Sequence, residues 1–146
     1  MHIEKISKKK EENLLNLCPN LTLPQAELLM GGLLGDANLQ TASKTAGTWR
    51  ARFLQGEKQK GYLFYKYEIL IDFVGTEPKR YPNFDKRTNK ENPRYSFNTK
   101  TFAEVKPLAE MFYTWNKEAT RFEKKLPKNI GDFLTSGVIA VWFMDD

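Results

Sequence analysis

Apolar positions are sparse over residues 3–17, where Ile3, Ile6, Leu14 and Leu15 give a short helix its packing side among charged neighbours. A sharper helix start follows. Thr22 is an N-cap residue, Pro24 suits a first turn and Gln25 stands at the capping-box position, so a helix is predicted from Leu23 to about Gly35. From Ala37 to Gln55 the pattern alternates instead. Trp49, Ala51 and Phe53 fall on one side, Arg50 and Arg52 on the other, and turn residues occupy Lys44–Gly47, which predicts a β-hairpin. Helical spacing returns over Lys58–Val74, with Tyr62, Tyr65, Ile69 and Phe73 as the expected inward stripe. A second hairpin is expected from Glu77–Phe84 and Arg94–Lys100 around a hydrophilic loop. Phe102–Asn116 then predicts a helix with Phe102, Val105, Leu108, Ala109 and Phe112 inside, and Ile130–Asp146 forms a last segment after Pro127. The order helix, helix, hairpin, helix, hairpin, helix, helix is an α+β arrangement without a Pro/Gly-rich linker or a repeat.

Composition narrows the chemistry. The chain has 146 residues, enough for one domain with a real core, and ten Phe, six Tyr and three Trp argue against disorder. A formal charge of +5 is compatible with a polyanionic partner without requiring one. Cys18 is the sole cysteine, which excludes an intrachain disulfide and a thiolate metal cage and reads as a small buried apolar residue. His2 is the sole histidine, at the chain's start, so a histidine base or histidine-ligated zinc is not expected. No apolar run approaches the roughly 20 residues of a membrane span. Residues 1–12 are charged and lack a secretory signal's apolar stretch, and Glu4, Glu11 and Glu12 argue against an amphipathic transit peptide.

Two segments run against electrostatic expectation. Leu29–Ala37 and Ile139–Asp146 are apolar helices that end in acid, at Asp36 and at Asp145 with Asp146. A carboxylate at a helix C-terminus opposes the macrodipole, at a cost of about 0.3–1 kcal/mol. A divalent cation there reverses the penalty, and aspartate oxygens are the hard ligands Mg²⁺ prefers. Small residues accompany both segments: Gly31 and Gly35, Ser136 and Ala140, with Gly32 and Gly137 beside them. Glycine inside a helix costs about 1 kcal/mol relative to alanine, which a close helix–helix contact would offset. Two helices crossing at such a seam would bring Asp36 and Asp146 together. The ordinary alternative is an apolar helix with a solvated aspartate, which two such ends in one chain make less attractive.

The first segment resembles the LAGLIDADG motif, with Asp36 at its metal-binding acidic position. The ending Trp142-Phe143-Met144-Asp145-Asp146 is similar to the second motif of the single-chain, two-motif branch of LAGLIDADG homing endonucleases, with Asp146 at the matching position. Arg52-Phe53-Leu54-Gln55, Gly75-Thr76-Glu77-Pro78, Tyr95-Ser96-Phe97-Asn98-Thr99 and Pro127-Lys128-Asn129-Ile130 resemble that branch in order. The likeness runs from about residue 21 to the end. It implies a helical extension over 1–20, a half-domain of αββαββα type with an antiparallel saddle sheet over 21–126, and a linker plus the first helix of a second half over 127–146.

The resemblance further implies site-specific cleavage of double-stranded DNA, with Mg²⁺ or another divalent cation on Asp36 and Asp146. Lys106 resembles an active-site lysine of some members, although a plain helix-start lysine reads equally well. The strand faces would carry Arg50, Arg52, Gln55, Lys79, Arg80, Arg94, Asn98 and Lys100, arginine reading guanine, Asn or Gln reading adenine, and cations neutralising phosphates. Lys58 joins this set, and Gln55 and Lys58 are also candidates for ordering water at the site.

Two departures from the family pattern stand out: Ala37 replaces the usual closing glycine, and the sequence stops at Asp146. The stop implies a complementing half, whether a second chain, a homodimer partner or further sequence. The alternative class is a non-cleaving binder of structured RNA, acting as an intron maturase or a ribonucleoprotein component. Membership would further imply an organellar intron gene, mitochondrial or chloroplast.

Overall fold

The computed structural model describes the backbone of residues 2–145 and the side chains of residues 4–145. The metal-ligand expectation for Asp146 therefore lies outside the described residues. Helix α1 covers His2–Leu17 and α2 covers Leu23–Leu34. Thr22 Oγ1 accepts from Gln25 N at 3.3 Å while Gln25 Oε1 accepts from Thr22 N at 3.0 Å, the reciprocal cap its sequence predicts. Beyond the cap α2 is buried almost all round, with Ala26, Leu28, Leu29, Met30 and Leu33 in the core. Leu14 of α1 and Cys18, just past its end, pack into the same core, whereas Ile6 and Leu15 are exposed.

Strands β1 (Asn38–Gln40), β2 (Arg50–Gly56), β3 (Lys79–Tyr81) and β6 (Arg94–Asn98) form one antiparallel sheet in the order β1-β2-β6-β3. The register sets Arg52 opposite both Asn38 and Asn98, and Gly56 opposite Arg94. One face carries Ala51, Phe53, Tyr95 and Phe97 into the core, Phe53 stacking on Phe97 at 4.9 Å between ring centroids. Helix α3 (Lys60–Ile69) packs on that face. A small ribbon of β4 (Phe84–Asp85) and β5 (Lys90–Glu91) occupies the hydrophilic loop, so the second hairpin is shorter at its base and structured at its tip.

Two expectations are corrected. The inward stripe of α3 is Leu63, Lys66 and Leu70, one position round from the predicted stripe, and Tyr65 is exposed. The cause is Lys66, a buried cation that a hydrophobic pattern does not count. The helix predicted to reach Asn116 stops with α4 at Lys106–Phe112, and β7 (Tyr113–Asn116) pairs with β8 (Arg121–Lys124) in a third hairpin. Asn116 Oδ1 accepts from the backbone N–H groups of Glu118 and Ala119, turning the chain, and Thr120 takes a left-handed φ of 51°. The aromatic rings of β7 and β8 join Trp49, with Trp49–Phe122 at 4.7 Å and Trp115–Phe122 at 5.0 Å. The predicted inward residues from Phe102 to Phe112 are all buried. Helix α5, Ser136–Asp145, follows a short 3-10 turn at Ile130–Phe133.

Candidate active site and nucleic-acid interface

Helices α2 and α5 run side by side in the same direction. A Cβ placed on Gly31 would lie 2.6 Å from Val141 Cβ and 2.7 Å from Val138 O, and one on Gly35 would lie 2.7 Å from Asp145 Cβ. The Glu27 side chain fills the space a Cβ on Gly137 would need. Glu27 meets Gly137, Gly31 meets Val141 and Gly35 meets Asp145, each pair separated by the same sequence offset. Thr135 begins α5: its Oγ1 accepts from Val138 N at 3.1 Å and donates to the Glu27 carboxylate. The glycine-lined seam is present with a different membership from the one predicted. Gly32 faces Ala37 and Phe53 instead of α5, and Ser136 and Ala140 are exposed.

The seam ends at acid. Asp36 is exposed and lines an open groove of about 1260 Å³, together with Gln55, Lys58 and Arg94. Asp145 is buried, its Oδ1 accepting from Lys66 Nζ at 2.6 Å. Lys66 Nζ also sits 4.3 Å from the Tyr62 ring centroid and 5.5 Å from that of Phe53. Asp145 Oδ2 is buried without a side-chain partner among the described residues, and the Asp36 backbone N–H acts on the carboxylate from nearby. Burial pushes the Asp145 carboxyl above the usual carboxylate range, and Lys66 pulls it back. Burial and the neighbouring Asp145 push the Tyr62 phenol up.

Lys124, from β8, donates to Ala37 O at 2.6 Å, at the residue after Asp36. Burial lowers its pKa, while Asp36 and Asp145 act in the opposite sense, so the ammonium lies within electrostatic reach of both carboxylates. No group of three or more His, Cys, Asp or Glu side chains forms a metal cage among the described residues. The donor set fits a different coordination habit. Mg²⁺ takes one or two carboxylates and fills its shell with water and phosphate oxygens, and an exposed Asp36 at an open groove is suited to that.

The outer face of the sheet is polar and cationic. Register and alternation place Arg50 and Arg52 of β2, Arg94 and Asn98 of β6 and Lys79 of β3 on it, with Asn38 and Gln40 of β1 beside them. All five of the first group are exposed.

Known proteins decide the family. The profile of the LAGLIDADG DNA endonuclease family matches residues 26–146. The chain belongs to this family. It is 43% identical over 129 residues to DNA endonuclease I-ChuI of Chlamydomonas applanata, a match covering 87% of this chain and 59% of that protein. It is 25% identical over 139 residues to the cytochrome b mRNA maturase bI2 of Debaryomyces hansenii, covering 94% and 50%. The maturase bI2 of Saccharomyces cerevisiae is 28% identical over 144 residues, covering 97% and 33%. In fold the chain matches the homing endonuclease I-WcaI bound to its DNA recognition sequence, with a TM-score of 0.69, 20% identity, and 93% and 62% of the two chains covered. The chain thus spans about half the length of the curated relatives it matches.

Within the LAGLIDADG frame, the sequence-derived candidates separate. Arg50, Arg52, Lys79, Arg94 and Asn98 share the open face, and Lys58 lies in the turn after β2 at the groove. Lys100 is exposed past the end of β6, its stem lying over Gly75. Gln55 is only 5% exposed, because it shares the parity of Ala51 and Phe53 and turns toward the helices. Arg80 stands opposite Tyr95 on that same parity and is held by Glu91 at 2.6 Å. Neither therefore lies on the outer, cationic face of the sheet. Lys106 is an exposed helix-start lysine 3.9 Å from Glu110 and does not line the groove of Asp36, which fits its plainer reading.

Sequence reasoning missed Lys124, Lys66, Asn38 and Gln40. The signal for Lys124 is the pair Lys124-Lys125 just before Pro127, which a helical reading of the preceding segment hides. Ala37 closes the first motif without strain: its N–H donates to Gly32 O at 2.9 Å, and it is not among the described residues with positive φ.

Proposed function

We propose that this chain is one half of a site-specific double-stranded DNA endonuclease of the homing type. The supporting observation is the parallel seam that sets Asp36 beside the end of α5, with the Lys124 ammonium close to both and a cationic sheet face alongside. Asp36, with Asp146 beyond the described residues, would hold the divalent cation. That ion, once bound, supplies Lewis acidity toward phosphate and lowers the pKa of water. Lys124 fixes the turn after Asp36 and places positive charge where negative charge builds on phosphate. Gln55 and Lys58 line the same groove and are suited to ordering water there. Arg50, Arg52, Lys79, Arg94 and Lys100 neutralise phosphates or read base edges.

The exposed side of α5 supports the reading that a complementing half packs there. The flank of α5 away from α2 exposes Ile139, Trp142, Phe143 and Met144, Phe143 at 78%, an apolar strip suited to burial against a second unit. We read residues 21–126 as the first half-domain, 1–20 as an extension packed on it, and 127–146 as the linker and first helix of the second. The cytochrome b mRNA maturases among its relatives support an organellar intron gene as its origin. No helix among the described residues is long and apolar enough to cross a membrane. The same maturases favour a second reading, a binder of structured RNA that no longer cuts.

One assay separates the readings: plasmid carrying the native target, Mg²⁺, the complementing half, and wild type, Asp36→Asn or Lys124→Met. Cleavage by wild type, with either variant binding normally but cutting slower by about two orders of magnitude, supports the nuclease. RNA binding without cleavage, unchanged by Asp36→Asn, supports the maturase reading.

A further inference from the structure

Gln40 and Arg50 stand directly opposite each other on β1 and β2, both on the outer face of the sheet. Arg50 Nε and Nη2 both donate to Gln40 Oε1, at 3.1 and 2.8 Å. A guanidinium has donors only, so the amide must turn its oxygen to the arginine and its Nε2 away from it. We propose that Gln40 and Arg50 act as one donor-only unit that selects guanine in the major groove of the target. This rests on the DNA-binding reading given above and adds which base is read, where, and by which residues.

The argument is one of hydrogen-bond supply. A free glutamine reads adenine by accepting from N6–H and donating to N7. Gln40 has committed its oxygen to Arg50 and is poorly placed to accept from an adenine amino group. What the pair still offers is N–H: the Gln40 amide protons and the guanidinium protons not spent on Oε1. In the major groove guanine shows two adjacent acceptors, N7 and O6, whereas adenine and cytosine present an amino donor and thymine a single acceptor beside a methyl group. A unit without a free acceptor leaves an amino group unpaired opposite adenine or cytosine, and an unpaired buried polar group is costly. The tether also fixes the arginine before binding, so less side-chain freedom is lost on contact. The A-form major groove is too deep and narrow for side chains to read, so the unit suits a DNA duplex.

Position along the target follows from the strand. Gly56 pairs with Arg94 at the groove that Asp36 lines, and Arg50 lies at the opposite end of β2. Strand rise and base-pair rise are both about 3.4 Å, so the guanine lies roughly six base pairs outward from the position level with Arg94.

The test is selection from a duplex library with a randomised core by the full chain, comparing wild type, Arg50→Ala, Gln40→Ala and Gln40→Glu. Arg50 is exposed and its side-chain hydrogen bonds among the described residues go to Gln40, so its removal tests reading more than folding. Wild type is expected to enrich a motif with guanine at one outer position. Arg50→Ala should lose that preference by about five- to a hundredfold at that position alone. Gln40→Glu still accepts from Arg50 but brings no donor of its own, and should weaken the guanine preference less than Arg50→Ala does. Adenine at the position Arg50 controls would overturn the proposal. So would an Arg50→Ala effect spread evenly over all positions, which marks a phosphate contact. Wild-type binding without any enriched motif removes sequence reading by this face while leaving DNA binding intact. Failure to bind duplex DNA at all removes the underlying DNA-binding reading as well.

Discussion

Asp145 has left water for a site where Lys66 holds one oxygen, the Asp36 backbone N–H acts on the carboxylate from nearby, and the other oxygen has no side-chain partner among the described residues. Such pairs contribute little net stability, since desolvation offsets most of the attraction, but removing one partner strands the other. Lys66→Met is therefore expected to destabilise the fold by about 3–5 kcal/mol, and the double variant Lys66→Met/Asp145→Leu to recover much of that. Urea denaturation checks both: equal losses in the single and double variants would show that the pair is not coupled. Cys18 poses a simpler question. Burial pushes its thiol from 9.0 up to about 11. Its folded-state pKa is raised, so its contribution to stability is complete below about 9 and fades as the pH climbs through about 11. At pH 8 the native chain should react with a thiol reagent far more slowly than the urea-unfolded chain. Comparable rates would mean that the site opens readily.

At the scale of elements the decisive feature is how closely α2 and α5 approach. Gly31→Ala would push a methyl group into Val141 and into a backbone carbonyl that cannot swing away. A loss of about 1–3 kcal/mol is expected, read as a lower melting temperature, despite alanine's better helix propensity. A neutral or stabilising result would show that the seam is looser than described. This seam was legible in the sequence because glycines four apart in an apolar helix have few other uses, and the cap at Thr22 was legible because its chemistry is local. The third hairpin was not. Tyr113–Asn116 continues the helical spacing of α4, and only the pairing with β8 and the ring of Trp49 draws it into a strand. The α3 stripe failed for a related reason: Lys66 faces inward because Asp145, far along the chain, gives it a partner there. Gln55 could have been placed from alternation alone, since it shares the parity of Phe53.

For the whole molecule, the charge on one sheet face sets how binding responds to solution conditions. If the roughly four sheet-face cations other than Arg50 meet phosphates, log K should fall with log salt at a slope near −3.6, a loss of somewhat more than a hundredfold between 50 and 200 mM. A titration against duplex DNA in that range measures it directly, and a flat response would remove the sheet as the binding surface. The way α2 meets α5 carries one more implication. Like positions touch: Gly31 against Val141, Gly35 against Asp145, in matching order along two helices that point the same way. Equivalent residues meet in this way about a two-fold axis lying between the helices and parallel to them. A second unit raised on α5 as the first is raised on α2 would present its strands to the duplex in the opposite sense. The sequence such an assembly recognises should accordingly read as an imperfect inverted repeat centred on the acidic helix ends.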